Sequence, residues 1–313
     1  MVWEIQIGKY RLGLLDSVEI HKSVDLLSDT AVIVIPATYY NVSLDIEDKV
    51  NVGDAVTIKL GYDDNLVTEF EGFLQRIDTD NGSLTFNCED AMFLTRKAVA
   101  NKELQQTSVK EIAEYCLSQI GMSGLNCTYN INYEQFVIMD ANAYDVFQKL
   151  QEETGANIYM KNGILNIHPA YIEKGGDVRY DFAVNIESSD LKYKNADDRK
   201  FEVTVEGISL SGIKKTVTVG TTGGERRSIK ISNVMDEEDL KKRGLEYMKH
   251  LSFTGYEGSI TGWLVPYVEP TYTAQIRDAE YEYKDGAYYV ISVTTTFSES
   301  GGVRKIEIGR KLN

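Results

Sequence analysis

Tryptophan, histidine, cysteine and proline are the scarce residues of this chain, at two, three, three and four among 313. Three cysteines, Cys88, Cys116 and Cys127, leave an odd thiol in any disulfide pairing and lack metal-ligand spacing, which excludes a disulfide framework and a thiolate metal site. Cys116 falls on the apolar side of a helical pattern and reads as a buried free thiol. No run approaches the roughly 20 apolar residues that cross a bilayer as a helix. The opening MVWEIQIGKYRLG lacks the basic-then-apolar plan of a signal peptide, so the expectation is a chain made and folded in a reducing cytoplasm, with no membrane segment.

The chemical vocabulary of an enzyme is equally thin. His21 lies in a strand pattern among polar residues, His168 precedes Pro169, and His250 ends a helical pattern, all structural settings. No serine or cysteine stands in a nucleophile elbow, and neither GxxxxGK[ST] nor GxGxxG occurs. The paired carboxylates Asp63-Asp64, Glu89-Asp90, Glu152-Glu153 and Asp197-Asp198 are sequence neighbours on predicted turns or element ends, which face water rather than converge on a substrate. Asp236 to Asp239 lacks the spacing of a calcium loop and caps a helix instead. No catalytic, cofactor-binding or metal-ligating residue is assigned, and no enzyme activity is expected.

Basic residues are also in deficit. The formal charge is −15, and residues 1–98 hold 17 acids against 8 bases, residues 99–175 hold 9 against 5, and residues 176–313 hold 22 against 20. Such a surface repels nucleic acid, because sequence-independent binding requires cations that displace counterions from phosphates.

What the chain does have is alternation. In VGDAVTIKLGY, Val56, Ile58 and Leu60 point one way and Thr57 and Lys59 the other, the two-residue period of a strand. TEFEGFLQRIDT and NGSLTFNCED follow, and Asp80-Asn81-Gly82 marks a tight hairpin. With SVEIHKS and TAVIVIPA before them, residues 1–98 read as one β-domain, a barrel or sandwich. The period then changes. TSVKEIAEYCLSQIG predicts a helix with Ser108 and Glu111 as capping box and Gly121 as stop. A second helix is predicted from about Asn142 to Thr154, with Asp140 or Asn142 as cap, Val146, Phe147 and Leu150 inward and Gly155 as terminator, followed by a hairpin at Asn162-Gly163. Residues 99–175 are thus a small α+β insert. Residues 176–313 turn β again, with a helix from about 236 to 250 whose acids lead and bases follow, as the helix dipole favours. The class expected is α+β, mainly β.

These landmarks in this order resemble the phage late control protein D family, the baseplate hub of contractile tails, related to the N-terminal hub region of VgrG. The pieces that carry the resemblance are VGDAVTIKLGY with FEGFLQRID and CED, TSVKEIAEYCL to LNIHP, EEDLKKRGLEYMKHL, SITGWLVP, and GAYYVISVTTTFSESGGVRKIEIG. The second half lacks a VGDAV-like motif where WLVPYVEPTYTAQI stands. The resemblance implies two tail-tube-like β-barrel domains, 1–98 and 176–313, flanking the insert. It also implies a homotrimer that joins a sixfold tail tube to a threefold spike, with a tail-tube protein and a separate spike protein as partners. The acidic surface would then line a channel through which DNA passes without specific binding, and the protein would reside in the baseplate of a virion tail. A VgrG-like hub of a type VI or related contractile injection system implies the same fold. The 20 tyrosines leave a carbohydrate-binding adhesin module as a further alternative. Phe70, Phe73 and Leu74 on one barrel and Tyr288 and Tyr289 on the other are the expected contact residues.

Overall fold

The computed structural model describes residues 2–39, 42–43, 45–63, 65–80, 82–208, 213–232, 234 and 236–312. The opening third forms β1 (Val2–Ile7), β2 (Tyr10–Arg11), β3 (Ser17–Ser23), β4 (Thr30–Pro36), β5 (Thr38–Tyr39), β6 (Val42–Ser43), β7 (Ala55–Tyr62), β8 (Asn65–Asp80) and β9 (Ser83–Glu89). The middle forms β10 (Lys102–Ser108), α1 (Val109–Gln119), β11 (Leu125–Cys127), β12 (Asn132–Ile138), α2 (Ala143–Thr154), β13 (Asn157–Lys161) and β14 (Ile164–His168). Then come β15 (Asp177–Asp181), β16 (Ser188–Lys194), β17 (Phe201–Ile208), β18 (Lys214–Gly220) and β19 (Glu225–Ser232). Helix α3 (Glu237–Leu251) follows, with β20 (Gly255–Trp263), β21 (Thr273–Arg277), β22 (Gly286–Ser298) and β23 (Gly301–Leu312) completing the chain. The mainly β, α+β class is what forms. Asn81 of the expected hairpin lies outside the described residues, but β8 and β9 pair across it from Asp80 and Ser83.

The elements fall into two compact units. One comprises Met1–Phe93, Lys174–Leu191 and Glu257–Asn313, the other Leu94–Glu173 and Lys192–Tyr256. The first is built on a 13-stranded sheet whose main path runs β16-β20-β23-β22-β3-β4-β9-β8-β7-β1-β2, with β21 pairing β22 and β15 pairing β21. Strands from the opening and closing thirds therefore share one sheet. Among the described residues the path has two free ends, so the expectation of closed barrels is corrected: the ladder is open.

It is nevertheless strongly curled. Strand β22 divides one of its edges, pairing β21 through Gly286 to Tyr289 and β3 through Ser292 to Ser298, while β23 runs along the other edge. Strand β8 pairs β7 through residues 65–73 and β9 through residues 73–80. Its first half carries a bulge: Phe70 opposes Ile58 and Thr68 opposes Lys59, which leaves Glu69 as the extra residue. A bulge breaks strict alternation, and Glu69 and Phe70 are consecutive yet both buried. Glu69 meets Arg304 of β23 at 2.5 Å. Five strand spacings separate β8 from β23 along the path, about 24 Å if the sheet were flat. Only a sheet rolled onto itself brings these side chains together. The enclosed core joins Ile5, Ile33, Ile35, Ile58 and Phe86 with Leu264 and Phe297 from the closing third.

Arg304 is fully buried and every guanidinium nitrogen is used. Nη2 donates to Glu69, Nη1 to the Leu264 and Pro266 carbonyls, and Nε to Thr295 Oγ1. Burial raises the Glu69 carboxyl above its ordinary value while Arg304 pulls it back.

In the second unit α1 begins at the predicted capping box, Ser108 and Glu111 bonding each other's backbone. Helix α2 is capped by Asn142 and ends on Gly155 in the left-handed conformation. Asn162 and Gly163 both have positive φ, the primed turn that joins β13 to β14. Helix α3 is buried on two sides. Gly244 lies so close to the sheet that an added Cβ would stand 2.8 Å from Val205 and Val219. On another side, residues spaced four and three apart make polar anchors. Asp239 accepts from Asn132 N at 3.0 Å, Arg243 Nη1 donates to Glu153 O at 3.0 Å, and Glu246 accepts from Ala170 N at 3.2 Å. The acids read from sequence as capping groups thus do more: Asp236 caps the helix and Asp239 is a buried anchor.

Two outcomes follow from this packing. Arg304→Met leaves Glu69 buried without its cation and should cost about 3–5 kcal/mol, whereas adding Glu69→Gln should recover part of that loss. The only tryptophans, Trp3 and Trp263, both lie in the first unit, so urea unfolding followed by their fluorescence measures it; an unchanged midpoint for Arg304→Met would refute the role of the pair. Gly244→Val forces α3 off the sheet and should cost about 1–3 kcal/mol, read as faster amide exchange in β17 and β18.

Candidate assembly surfaces

The residues expected at contacts are distributed unequally. Phe70, Leu74, Tyr288 and Tyr289 are buried inside the chain itself, Phe70 and Leu74 in the core of the rolled sheet. Phe73 is half-buried and stacks on Phe93 with ring centroids 5.8 Å apart. The exposed apolar surface of the first unit lies elsewhere. Trp263 is 50% and Val265 64% exposed, and Val184 at 72% belongs to a turn whose next residue, Asn185, presents its carbonyl 2.9 Å from where a Cβ on Gly262 would stand. Tyr281 and Tyr283, also exposed, contact edge to face at 6.2 Å with Lys284 Nζ 3.9 Å from the Tyr281 ring centre. Sequence reasoning missed Trp263 because a tryptophan in a strand pattern is ordinarily a core residue.

The second unit presents a different surface. In the three-stranded sheet β18-β17-β19, β17 alternates strictly, with Phe201, Val203, Val205 and Gly207 buried. Its other face carries Glu202 and Glu206, flanked in register by Arg226 and Lys230 of β19 and by Thr216 of β18. Arg226 pairs with Glu202 at 3.5 Å and Lys214 with Glu206 at 2.8 Å. The four-residue stretch Thr221 to Gly224 is the tight turn that links β18 to β19, with Gly224 N donating to Thr221 O.

The histidines sit in hydrogen-bonded structural settings. His21 Nδ1 is 2.9 Å from Thr294 Oγ1, its register partner on β22, and His250 Nδ1 is 2.7 Å from Tyr171 Oη. His168 Nδ1 is 2.7 Å from Thr128 Oγ1, and burial lowers its pKa against the pull of Glu173, 3.5 Å from Nε2. Among the described residues no three His, Cys, Asp or Glu side chains converge as a metal site. Cys88 and Cys116 are buried thiols, each pushed up to about 12 by burial.

One carboxylate pair departs from expectation. Glu89 and Asp90 do not face water; both are buried. Asp90 accepts from Ser28 Oγ and Met92 N, and its own N–H donates to Asp29 O. Burial first, then the Asp90 charge, raises the Asp29 carboxyl up to about 7 against the pull of Lys22. Burial likewise raises Asp90, up to about 6. Lys22 itself pairs with Glu269 at 3.0 Å. In the unfolded chain both aspartates titrate near 3.8. As pH rises from about 4 to 7 the unfolded chain releases protons that the folded chain keeps, so this pair's contribution to stability falls across that window. The urea midpoint reported by Trp3 and Trp263 should be higher at about pH 5.5 than at about pH 7.5, and Asp29→Asn should flatten the difference. Identical pH profiles for the two proteins would contradict the assignment.

No family model and no curated protein sequence matches the chain. Solved structures do. The 43 kDa tail protein of prophage MuSo2 from Shewanella oneidensis aligns over 98% of both chains at TM-score 0.67 and 16% identity. A tail protein from Neisseria meningitidis aligns over 98% of this chain and 96% of its own at TM-score 0.68 and 14% identity. A component of the Escherichia coli type VI secretion system, described as structurally similar to T4 bacteriophage tail proteins gp27 and gp5, aligns over 99% of this chain and 77% of its own at TM-score 0.63 and 9% identity. From end to end, the chain has the fold that these tail proteins and this secretion-system component share.

Proposed function

We propose that this protein is a structural component of a contractile tail: a baseplate hub, encoded by a phage or prophage, that joins a sixfold tail tube to a threefold spike. The observation that carries this reading is the match of the whole chain, not of one module, to whole prophage tail proteins. In this reading the expected halves 1–98 and 176–313 act as two tube-like parts around the insert 99–175, the second through 176–191 and 257–313 because 192–256 belong to the same compact unit as the insert, and three chains make a ring of six such parts. The partners are two further copies of the chain, a tail-tube protein and a spike protein, and the protein resides in the baseplate of the virion after synthesis in the host. The role is non-enzymatic. An excess of 17 acids over 8 bases in residues 1–98 suits a wall along which DNA slides, because it offers phosphates few cations. Trp263, Val265 and Val184 supply the apolar contacts between chains, since large exposed apolar groups gain most from burial. Phe73, half-buried, stands as the remaining contact residue from sequence.

The same fold in a type VI component supports a second reading, the hub of a contractile injection system. The two differ in the gene neighbourhood and in the tube protein bound, not in the assembly.

Light scattering after size exclusion, over a range of protein concentrations and with the cognate tube protein added, tests the assembly. A particle of three chains is expected, with Trp263→Ser/Val265→Ser shifting it toward single chains. Single chains throughout, with the tube protein present, would sink the hub reading.

A further inference from the structure

We propose that the outer edge of β19 accepts an extended acidic segment of another protein as a fourth strand of the β18-β17-β19 sheet. This rests on the second unit's sheet alone and stands apart from the hub reading. Strand β19 is terminal in that sheet: among the described residues no strand lies beyond it. Eight residues, Glu225 to Ser232, run parallel to β17 without a register shift. A terminal strand of that length exposes a row of backbone N–H and C=O groups, and proteins ordinarily blunt such an edge with a proline, a bulge or a very short strand. Here there is no proline and no bulge.

Charge remains, and its sign is selective. Residues 192–232 hold nine bases against five acids in a chain of formal charge −15. On β19, Arg226 and Lys230 stand four residues apart, with Ser228 between them, on the face that carries Glu202 and Glu206, and the Arg226 side chain is 87% exposed. Arg227 lies on the opposite face, 41% exposed. A second β19 aligned with the first would set cation against cation, which disfavours self-pairing. A strand with acids at every second residue has the same period as Arg226, Ser228 and Lys230, so backbone pairing and charge pairing are satisfied together. A polyphosphate fits less well. It has no backbone N–H and C=O groups to pair with the strand edge, and so can engage the side-chain cations alone.

The probes are a labelled peptide of about nine residues alternating Glu and Val, its Lys-Val counterpart, and a single-stranded oligonucleotide of matching length, each titrated against the full chain by fluorescence anisotropy. The Glu-Val peptide should bind and slow amide exchange in β19, and the Lys-Val peptide should not bind. Arg226→Glu/Lys230→Glu, both exposed, should weaken binding about tenfold; Arg226→Gln/Lys230→Gln should give a smaller loss with the circular dichroism of the parent. Absence of Glu-Val binding, equal binding of the two peptides, unchanged β19 exchange at saturation, or tighter binding of the oligonucleotide would each overturn the proposal.

Discussion

The contact between Glu69 and Arg304 is the constraint on which the first unit turns. Hydrogen-bonded ladders fix neighbours in a sheet but leave its curvature free, because each strand knows only the strand beside it. A side chain from β8 reaching one from β23 fixes the roll. Burying two charges is expensive, and the attraction between them repays that cost only when the remaining hydrogen-bonding capacity is met. Here it is met by Thr295 and by the carbonyls of Leu264 and Pro266, so the pair ties β8, β22, β23 and the segment after β20 together at one point. An apolar pair of equal volume would hold the strands as firmly but would tolerate a slipped register. A single carboxylate facing a single guanidinium does not.

A second polar group, half-buried, lies in the same unit. Lys22 of β3 pairs with Glu269, whose carboxylate also accepts from Tyr267 Oη at 2.5 Å, and Lys22 pulls against the burial that raises Asp29. Strand β3 is where the opening and closing thirds pair, through β22. Cross-strand bonds there are reinforced by side chains that span 273 and 247 residues of sequence, His21 to Thr294 and Lys22 to Glu269. The join between the ends of the chain is thus held by directional contacts, as is the β8–β23 contact, while most of the remaining sheet relies on alternation and apolar burial.

That difference explains what the sequence made legible. Caps and turns are local: Ser108 with Glu111, Asn142 with Gly155, and Asn162-Gly163 act over a few residues, and all formed where predicted. Long alternating strands were equally clear. Strand β10, KELQQTS, has no apolar period and exists because β12 pairs with it, which no local pattern reveals. The bulge at Glu69 is invisible for the same reason, being a mismatch between two strands. Arg304 did leave a trace. It shares a strand face with Ile306 and Ile308, and a cation in an apolar row of alternate residues marks a buried partner. Asp239, Arg243 and Glu246 left a similar trace at helical spacing, masked by the acids and bases around them. Tyr288 and Tyr289 are buried within the chain, and tyrosine serves cores and contacts equally well, so residue type does not separate the two roles.

The same physics accounts for a fold retained at 14–16% identity with TM-scores of 0.67 and 0.68 while no family model matches the sequence. A ladder of backbone hydrogen bonds asks of each strand only a period of two and a few small residues where backbones meet. Gly72 is such a place, since a Cβ there would stand 2.3 Å from the Glu89 carbonyl. Between such points almost any alternation of apolar and polar residues satisfies the sheet, so substitutions accumulate without disturbing it. The shape-holding role proposed above would place few further demands on the side chains. Low identity with high structural agreement is what such a set of constraints produces.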